Sequence, residues 1–226
     1  MPRFEGPFTG VTADGYAGRA ARSVPGLAGL HRMVGLLLAE QVAAEGHLLV
    51  LGAGGGLELK ALAGMQAGWR FTGVDPSPDM LAVAGEVCAG FAGRVTLIEG
   101  VIGDAPPGPF DGAVSLLTFH FIPREARLET LRALHARLKP GAPFVMAHLS
   151  CAGEEPARSR WIARHVAYGA VEGTDPAQME RSRRALAAGV HVLAPEEEEA
   201  MLAEAGFGGV EMFYAGFALR GWVARA

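Results

Sequence analysis

The sequence has no asparagine, two lysines beside eighteen arginines, and two cysteines in 226 residues. Two cysteines, Cys88 and Cys151, exclude a disulfide framework and a four-cysteine zinc site. No apolar run approaches the ~20 residues of a membrane-spanning helix. Positive charge is not in excess: the formal net charge is −4, which argues against a general polyanion binder. Three tyrosines and three tryptophans beside eleven phenylalanines form no obvious stacking platform for single-stranded nucleic acid. The first residues, with Glu5 and Asp14 among scattered glycines, do not read as a signal peptide. The chain therefore reads as soluble and cytoplasmic, with neither a membrane nor nucleic acid in general as a partner.

What is abundant is glycine, 32 of 226 residues, about twice the usual ~7%. With the missing asparagine and the scarce lysine, this reads as base-composition bias. The glycine count carries no weight; only glycines in particular places do. Half the chain is apolar and 19% is charged, which suits a globular core. At roughly 150 residues per domain, with no repeat or low-complexity linker, the chain reads as one domain over 1–226.

Hydrophobic periodicity orders that domain. Residues 28–45 carry Leu30, Val34, Leu37, Leu38 and Val42 at helical spacing. His47–Leu51 is a short apolar run ending in glycines, the signature of a buried parallel strand. Strands follow at Arg70–Val74, Val95–Ile98, Gly112–Leu117 and Pro143–Leu149. Between them lie helices at 57–67, Ser77–Ala89 and Pro123–Leu138; the last has Ala126, Leu128, Leu131, Leu134 and Leu138 on its apolar face. This alternation predicts a parallel sheet covered on both faces. Residues 154–190 hold six arginines and no strand pattern, and read as one or two inserted helices. Pro195–Ala205 is a helix with an acidic start, so its consecutive glutamates are dipole partners and not a metal site. Val210–Tyr214 and Phe217–Val223 predict a closing antiparallel hairpin across an Ala-Gly turn. The fold class is thus α/β, a Rossmann-like, seven-stranded, mostly parallel sheet with residues 1–30 and 154–190 as a helical cap.

The loop LLVLGAGGGLE (48–58) places Gly52, Ala53, Gly54 and Gly56 between the first strand and the following helix. Such a loop lets backbone approach a ligand closely, with helix amides aimed at it. The dinucleotide pattern G-x-G-x-x-G fails at Leu57, so nicotinamide is disfavoured; G-x-G-x-G is satisfied. In FTGVDPSPDML (71–81), Asp75 ends the second strand, where a carboxylate accepts both hydroxyls of a ribose. Pro76 and Met80 follow where an adenine would lie, though Met80 fits a core position equally.

The order of the glycine loop, Asp75, EGVIGDAP (99–106), FDGAVSLLTFHFIP (110–123) and RLKPGAPFVMAHL (137–149) resembles the class I S-adenosylmethionine-dependent methyltransferases. The resemblance covers roughly residues 45–226. It implies S-adenosyl-L-methionine as cofactor, with the glycine loop at its methionine part, Asp75 at the ribose, Val101 and Ile102 at the adenine, and Leu116 and Leu117 along the methionine side. RSVPG (22–26), RHVAYGAVEGTDPAQMERSRRAL (164–186) and AGF…FYAGFALRGWVA (205–224) are similar to the carboxy-S-adenosylmethionine synthase subgroup. That narrower resemblance implies a homodimer and places a cofactor-carboxylate arginine at Arg183.

The chain departs from both patterns. The usual acid two residues before the first loop glycine is Val50, which leaves Glu58 to meet the cofactor's amino group. The subgroup's tyrosine after RSVPG is Leu27, its aspartate near the adenine is Val101, and its asparagine ending the fourth strand is Leu116. Each change removes a polar partner, at ~0.5–1.5 kcal/mol per hydrogen bond.

Methyl transfer from a sulfonium needs alignment and, for some acceptors, removal of a proton. His120, after the fourth strand, is the first candidate base, and a packed histidine fits the position as well. His148, in the fifth strand, is the second. Arg183, with Arg181 and Arg184, is a candidate carboxylate anchor. The expected function is methyl transfer to a small, anionic acceptor; the alternatives are a synthase-like enzyme that modifies the cofactor, and a cofactor-binding protein without catalysis.

Overall fold

Each short apolar run bounded by glycine or a turn becomes a strand, and each longer amphipathic run a helix, in a computed structural model that describes residues 12–226. Residues 1–11 of the expected cap lie outside the described residues. The strands are β1 (His47–Leu51), β2 (Arg70–Asp75), β3 (Val95–Glu99), β4 (Gly112–Leu116), β5 (Pro143–Leu149), β6 (Gly208–Gly216) and β7 (Leu219–Arg225). They form one sheet in the order β3-β2-β1-β4-β5-β7-β6. The first five are parallel, and β7 runs antiparallel to both β5 and β6. Chain order reverses between β1 and β4, so the carboxyl ends of these two strands open a crevice, the position where α/β sheets bind ligands.

The helices are α1 (Ala13–Ser23), α2 (Leu27–Ala39), α3 (Leu57–Met65), α4 (Pro78–Val87), α5 (Arg124–His135), α6 (Ala157–Gly169), α7 (Pro176–Gly189) and α8 (Pro195–Glu204). Successive β1 side chains alternate between two cores, as a strand's period of two requires. Leu48 and Val50 pack with Leu30, Val34 and Leu38 of α2 and Leu59 and Leu62 of α3. Leu49 and Leu51 pack on the other face with Leu131 and Leu134 of α5, Phe144, Leu202 and Trp222. Val50 is fully buried in the first of these clusters, so an apolar side chain suits its place.

Two sequence boundaries are corrected. The helix expected over 28–45 ends at Ala39, because Glu40 caps it and a turn closed by Gly46 N–H to Ala43 C=O leads into β1. The hairpin turns at Phe217 and Ala218 instead of Ala215 and Gly216, with Phe217 at φ 49° and Gly216 paired to Leu219. Among the described residues no helix is long and apolar enough to cross a membrane. Over the crevice, α1 packs on α6 and α6 on α7; Gly169 abuts Ser23 closely enough that a side chain there would press on its hydroxyl. The Tyr214 hydroxyl donates to Pro25 C=O at 2.7 Å, fixing the turn between α1 and α2 to β6.

Candidate functional site

The crevice is built around the glycine loop. Gly52 has φ 75°, and a Cβ there would lie 2.0 Å from Thr118 Oγ1. Gly56, also at φ 75°, would meet the Ala84 backbone at 3.0 Å, so α4 closes against the start of α3 only without a side chain. The loop is anchored to Asp75. Its Oδ2 accepts Gly54 N–H at 2.8 Å and its Oδ1 accepts Ser77 N–H at 2.9 Å. A carboxylate has about four acceptor positions, so two remain for a ligand's paired hydroxyls. Burial raises the Asp75 pKa, against the pull of those two amides.

A cavity of about 460 Å³ opens there, within the range of small-ligand sites. Gly52, Gly54, Asp75, Pro76, Met80, Val101, Ile102, Leu116 and Leu117 line it. Three candidates do not. Ala53 is fully buried with its N–H on Val74 C=O, and Gly56 faces α4. Glu58 lies buried behind the loop, its pKa pushed up to about 8, chiefly by burial and further by Asp75. It is therefore protonated near neutral pH and does not supply the charge that Val50 lacks.

A second cavity, of about 390 Å³, lies beyond the first under α1, α6 and α7. Tyr16, Leu117 and Phe121 line both and so form the wall between them. Leu117 sits in the left-handed region at φ 59°, an uncommon conformation for a bulky residue and typical of strained functional loops. The Tyr16 ring covers Gly55, where a Cβ would come within 2.3 Å of it. Burial, together with nearby Glu58 and Asp75, raises the Tyr16 pKa far above that of a free phenol. Neither Tyr16 nor Arg19, which also lines the second cavity, is a sequence candidate. α1 buries no residue fully and so carries no core stripe to mark it; the scarcity of tyrosine was the one available signal.

Comparison with known proteins decides the family. A methyltransferase-domain profile matches residues 49–144. The carboxy-S-adenosyl-L-methionine synthase of Chromohalobacter salexigens is 30% identical over 202 residues, covering 85% of this chain and 73% of its own. The chain belongs to the class I S-adenosylmethionine-dependent methyltransferases. Its fold agrees. A possible exported protein of Bordetella parapertussis superposes with a TM-score of 0.69 at 20% identity, over 96% of this chain and 79% of that one. Human N-acetylserotonin methyltransferase, solved with S-adenosylmethionine, gives 0.59 at 17%, over 98% of this chain and 60% of that one.

S-adenosylmethionine is the cofactor of this methyltransferase, and the first cavity fits it. Asp75 offers free acceptor positions at the end of β2, and Met80 and Ile102 offer apolar surface to an adenine. Gly52 and Gly54 let the methionine part approach the backbone.

Of the three catalytic candidates, His120 lines a cavity and His148 and Arg183 do not. His120 is buried and lines the second cavity. Its Nδ1 accepts Leu149 N–H at 3.3 Å. An amide only donates, so Nδ1 holds a lone pair and the proton sits on Nε2. Burial, then the neighbouring His148, Arg127 and His165, hold its pKa well below the usual value. In this arrangement His120 is neutral and carries its proton on Nε2.

His148 does not reach either cavity. It is fully buried, and its Nε2 lies 2.9 Å from Glu198 Oε1. Glu198 also pairs with buried Arg127, whose guanidinium donates to Ile122 and His191 carbonyls. Burial opposes ionisation of Glu198, but His148 and Arg127 outweigh it and lower its pKa. His148 is thus part of a structural network joining β5, α5 and α8. Arg183 also points elsewhere: it holds both carboxylate oxygens of Glu180 at 2.7 Å on the same helix and lines neither cavity. Arg184 shares Glu180, so this cluster is satisfied within α7.

Proposed function

We propose that this chain transfers a methyl group from S-adenosylmethionine to a small-molecule acceptor seated in the second cavity. The observation that carries this reading is the shared wall of Tyr16, Leu117 and Phe121. It sets a cofactor-sized cavity directly against a second, mostly apolar one. When bound, the cofactor supplies an electrophilic methyl on sulfur whose thioether leaves readily. The protein's task is then alignment, which is worth several kcal/mol when the reacting atoms are held near contact. Strained Leu117 fixes the wall, α1 and α6 cover it, and the apolar lining excludes water. The reading places the enzyme in the cytoplasm as a homodimer with a small-molecule partner, in keeping with the subgroup resemblance.

The test is incubation with methyl-labelled S-adenosylmethionine and a fractionated pool of cellular small molecules. Label transferred to a small product, and lost with Asp75→Ala, supports the reading. Label released only as unchanged cofactor overturns it. A second reading, modification of the cofactor itself, is favoured by the name of the 30%-identical relative. Against it stand the apolar Leu27, Val101 and Leu116 and the engaged Arg183. Mass spectrometry of cofactor recovered from the reaction separates the two, because only the second yields a carboxylated species.

A further inference from the structure

The second cavity takes its polar groups from α1, α6, α7 and the turns beside them. His120 is held as the Nε2–H tautomer by Leu149 N–H. His165, on α6, is buried, and its Nδ1 has no partner. An orphaned buried N–H is rarer than an orphaned lone pair, so the proton belongs on Nε2, the nitrogen left for the cavity. Burial lowers the His165 pKa, which keeps this ring neutral too. Arg19, exposed on α1, makes no ion pair among the described residues. The hydroxyls of Ser23, Thr174, Ser182 and Tyr16 complete the polar lining. No aspartate or glutamate lines this cavity among the described residues. Behind it, Glu198 is paired with Arg127. Tyr16, whose nearest acids are Glu58 and Asp75, stays protonated.

A cavity with one cation, N–H and O–H donors and no carboxylate suits one class of acceptor. We propose that it binds an anionic nucleophile, a carboxylate or a thiolate, which attacks the methyl group without a protein base. The acceptor's lone pair forms the bond to the methyl carbon as the carbon–sulfur bond breaks, and the thioether leaves with that bonding pair. Anion and sulfonium become two neutral groups, and no proton remains to be removed. Arg19 and the two histidine N–H groups bind and orient the anion. An ammonium or ammonium-forming acceptor would meet a cation and no counter-charge.

The inference rests on the methyltransferase reading, and the experiment separates the two. The protein is loaded with S-adenosylhomocysteine and titrated calorimetrically with phenylacetate, thiophenolate, phenylacetamide and phenethylamine, one-ring probes sized to the cavity. At least one anion is expected to bind tenfold or more tightly than the amide and the amine; which anion does so assigns carboxylate or thiolate. Arg19→Gln, an exposed change, is expected to reduce that preference below threefold. Equal or tighter binding of the amine or amide overturns the inference, as does the absence of anion binding to a protein that holds S-adenosylhomocysteine. Failure to bind S-adenosylhomocysteine itself overturns the methyltransferase reading instead.

Discussion

Gly52→Ala tests whether the loop glycines are required by geometry or reflect only a glycine-rich composition. The added Cβ would lie 2.0 Å from Thr118 Oγ1, 2.4 Å from its Cγ2 and 2.7 Å from its Cβ. Thr118 cannot simply swing aside, because its hydroxyl donates to Leu116 C=O at 3.0 Å and approaches Gly52 C=O at 3.4 Å. Overpacking of this kind costs ~1–3 kcal/mol. The left-handed backbone at φ 75° adds ~1–2 kcal/mol for any side chain. The variant should therefore lose ~2–5 kcal/mol, measured by urea denaturation without ligand so that binding does not mask the loss. Thr118→Gly removes the obstructing atoms but leaves the backbone as it is. In a double-mutant cycle the pair should recover the steric share, about 1–3 kcal/mol, and retain the backbone share. A loss below about 0.5 kcal/mol in Gly52→Ala, or no coupling between the two sites, refutes the reasoning.

Glu58→Gln should change how stability depends on pH. Burial raises the Glu58 pKa from 4.5 to about 8, so the folded state holds a proton that the unfolded chain releases. Its favourable share is whole below pH 4.5 and is lost as pH rises toward 8, by roughly 4–5 kcal/mol. The variant should lack this decline, and parallel stability curves from pH 5 to 9 would contradict the assignment. Glu198→Ala leaves the buried Arg127 guanidinium without its counter-charge, at ~3–5 kcal/mol. Denaturant titration checks this, and a loss under about 1 kcal/mol would show that the network is not electrostatically coupled. Tyr16→Ala joins the two cavities and loosens alignment, so kcat for methyl transfer should fall ~100-fold. An unchanged kcat would remove Tyr16 from the site.

The sheet was legible because its signals are local. Glycine follows β1, an aspartate ends β2, and Lys139-Pro140-Gly141 lies in the turn before β5. The cofactor cavity was legible for the same reason: its residues sit at strand ends, in short motifs. The second cavity was less so: a cap from 1–30 and 154–190 was expected, but not that Tyr16 and Arg19 would line the space beneath it. Its wall comes from α1, α6 and the turn after β4, and nothing in a single sequence reports which distant helices meet. Arg127 shows the limit within one helix: it is fully buried on the α5 face where Ala126 and Leu128 were expected, and Ala126 is exposed. One of four consecutive glutamates, Glu198, turns inward to meet it 71 residues away. Ion pairs of that separation are fixed by tertiary structure, and His148 sits in that network, away from both cavities. Arg183 is held by a contact of the opposite kind: its partner, Glu180, is only three residues away.

The central claim is that the cavity between the glycine loop and Asp75 holds S-adenosylmethionine. Calorimetric titration of the purified protein and of Asp75→Ala with S-adenosylhomocysteine tests it most directly. Two hydrogen bonds from ribose hydroxyls to an ionised carboxylate are worth ~1.5–3 kcal/mol each. Saturable binding is predicted for the natural protein, weakened at least ~100-fold in the variant. No binding by the natural protein, or equal binding by the two, would contradict the account.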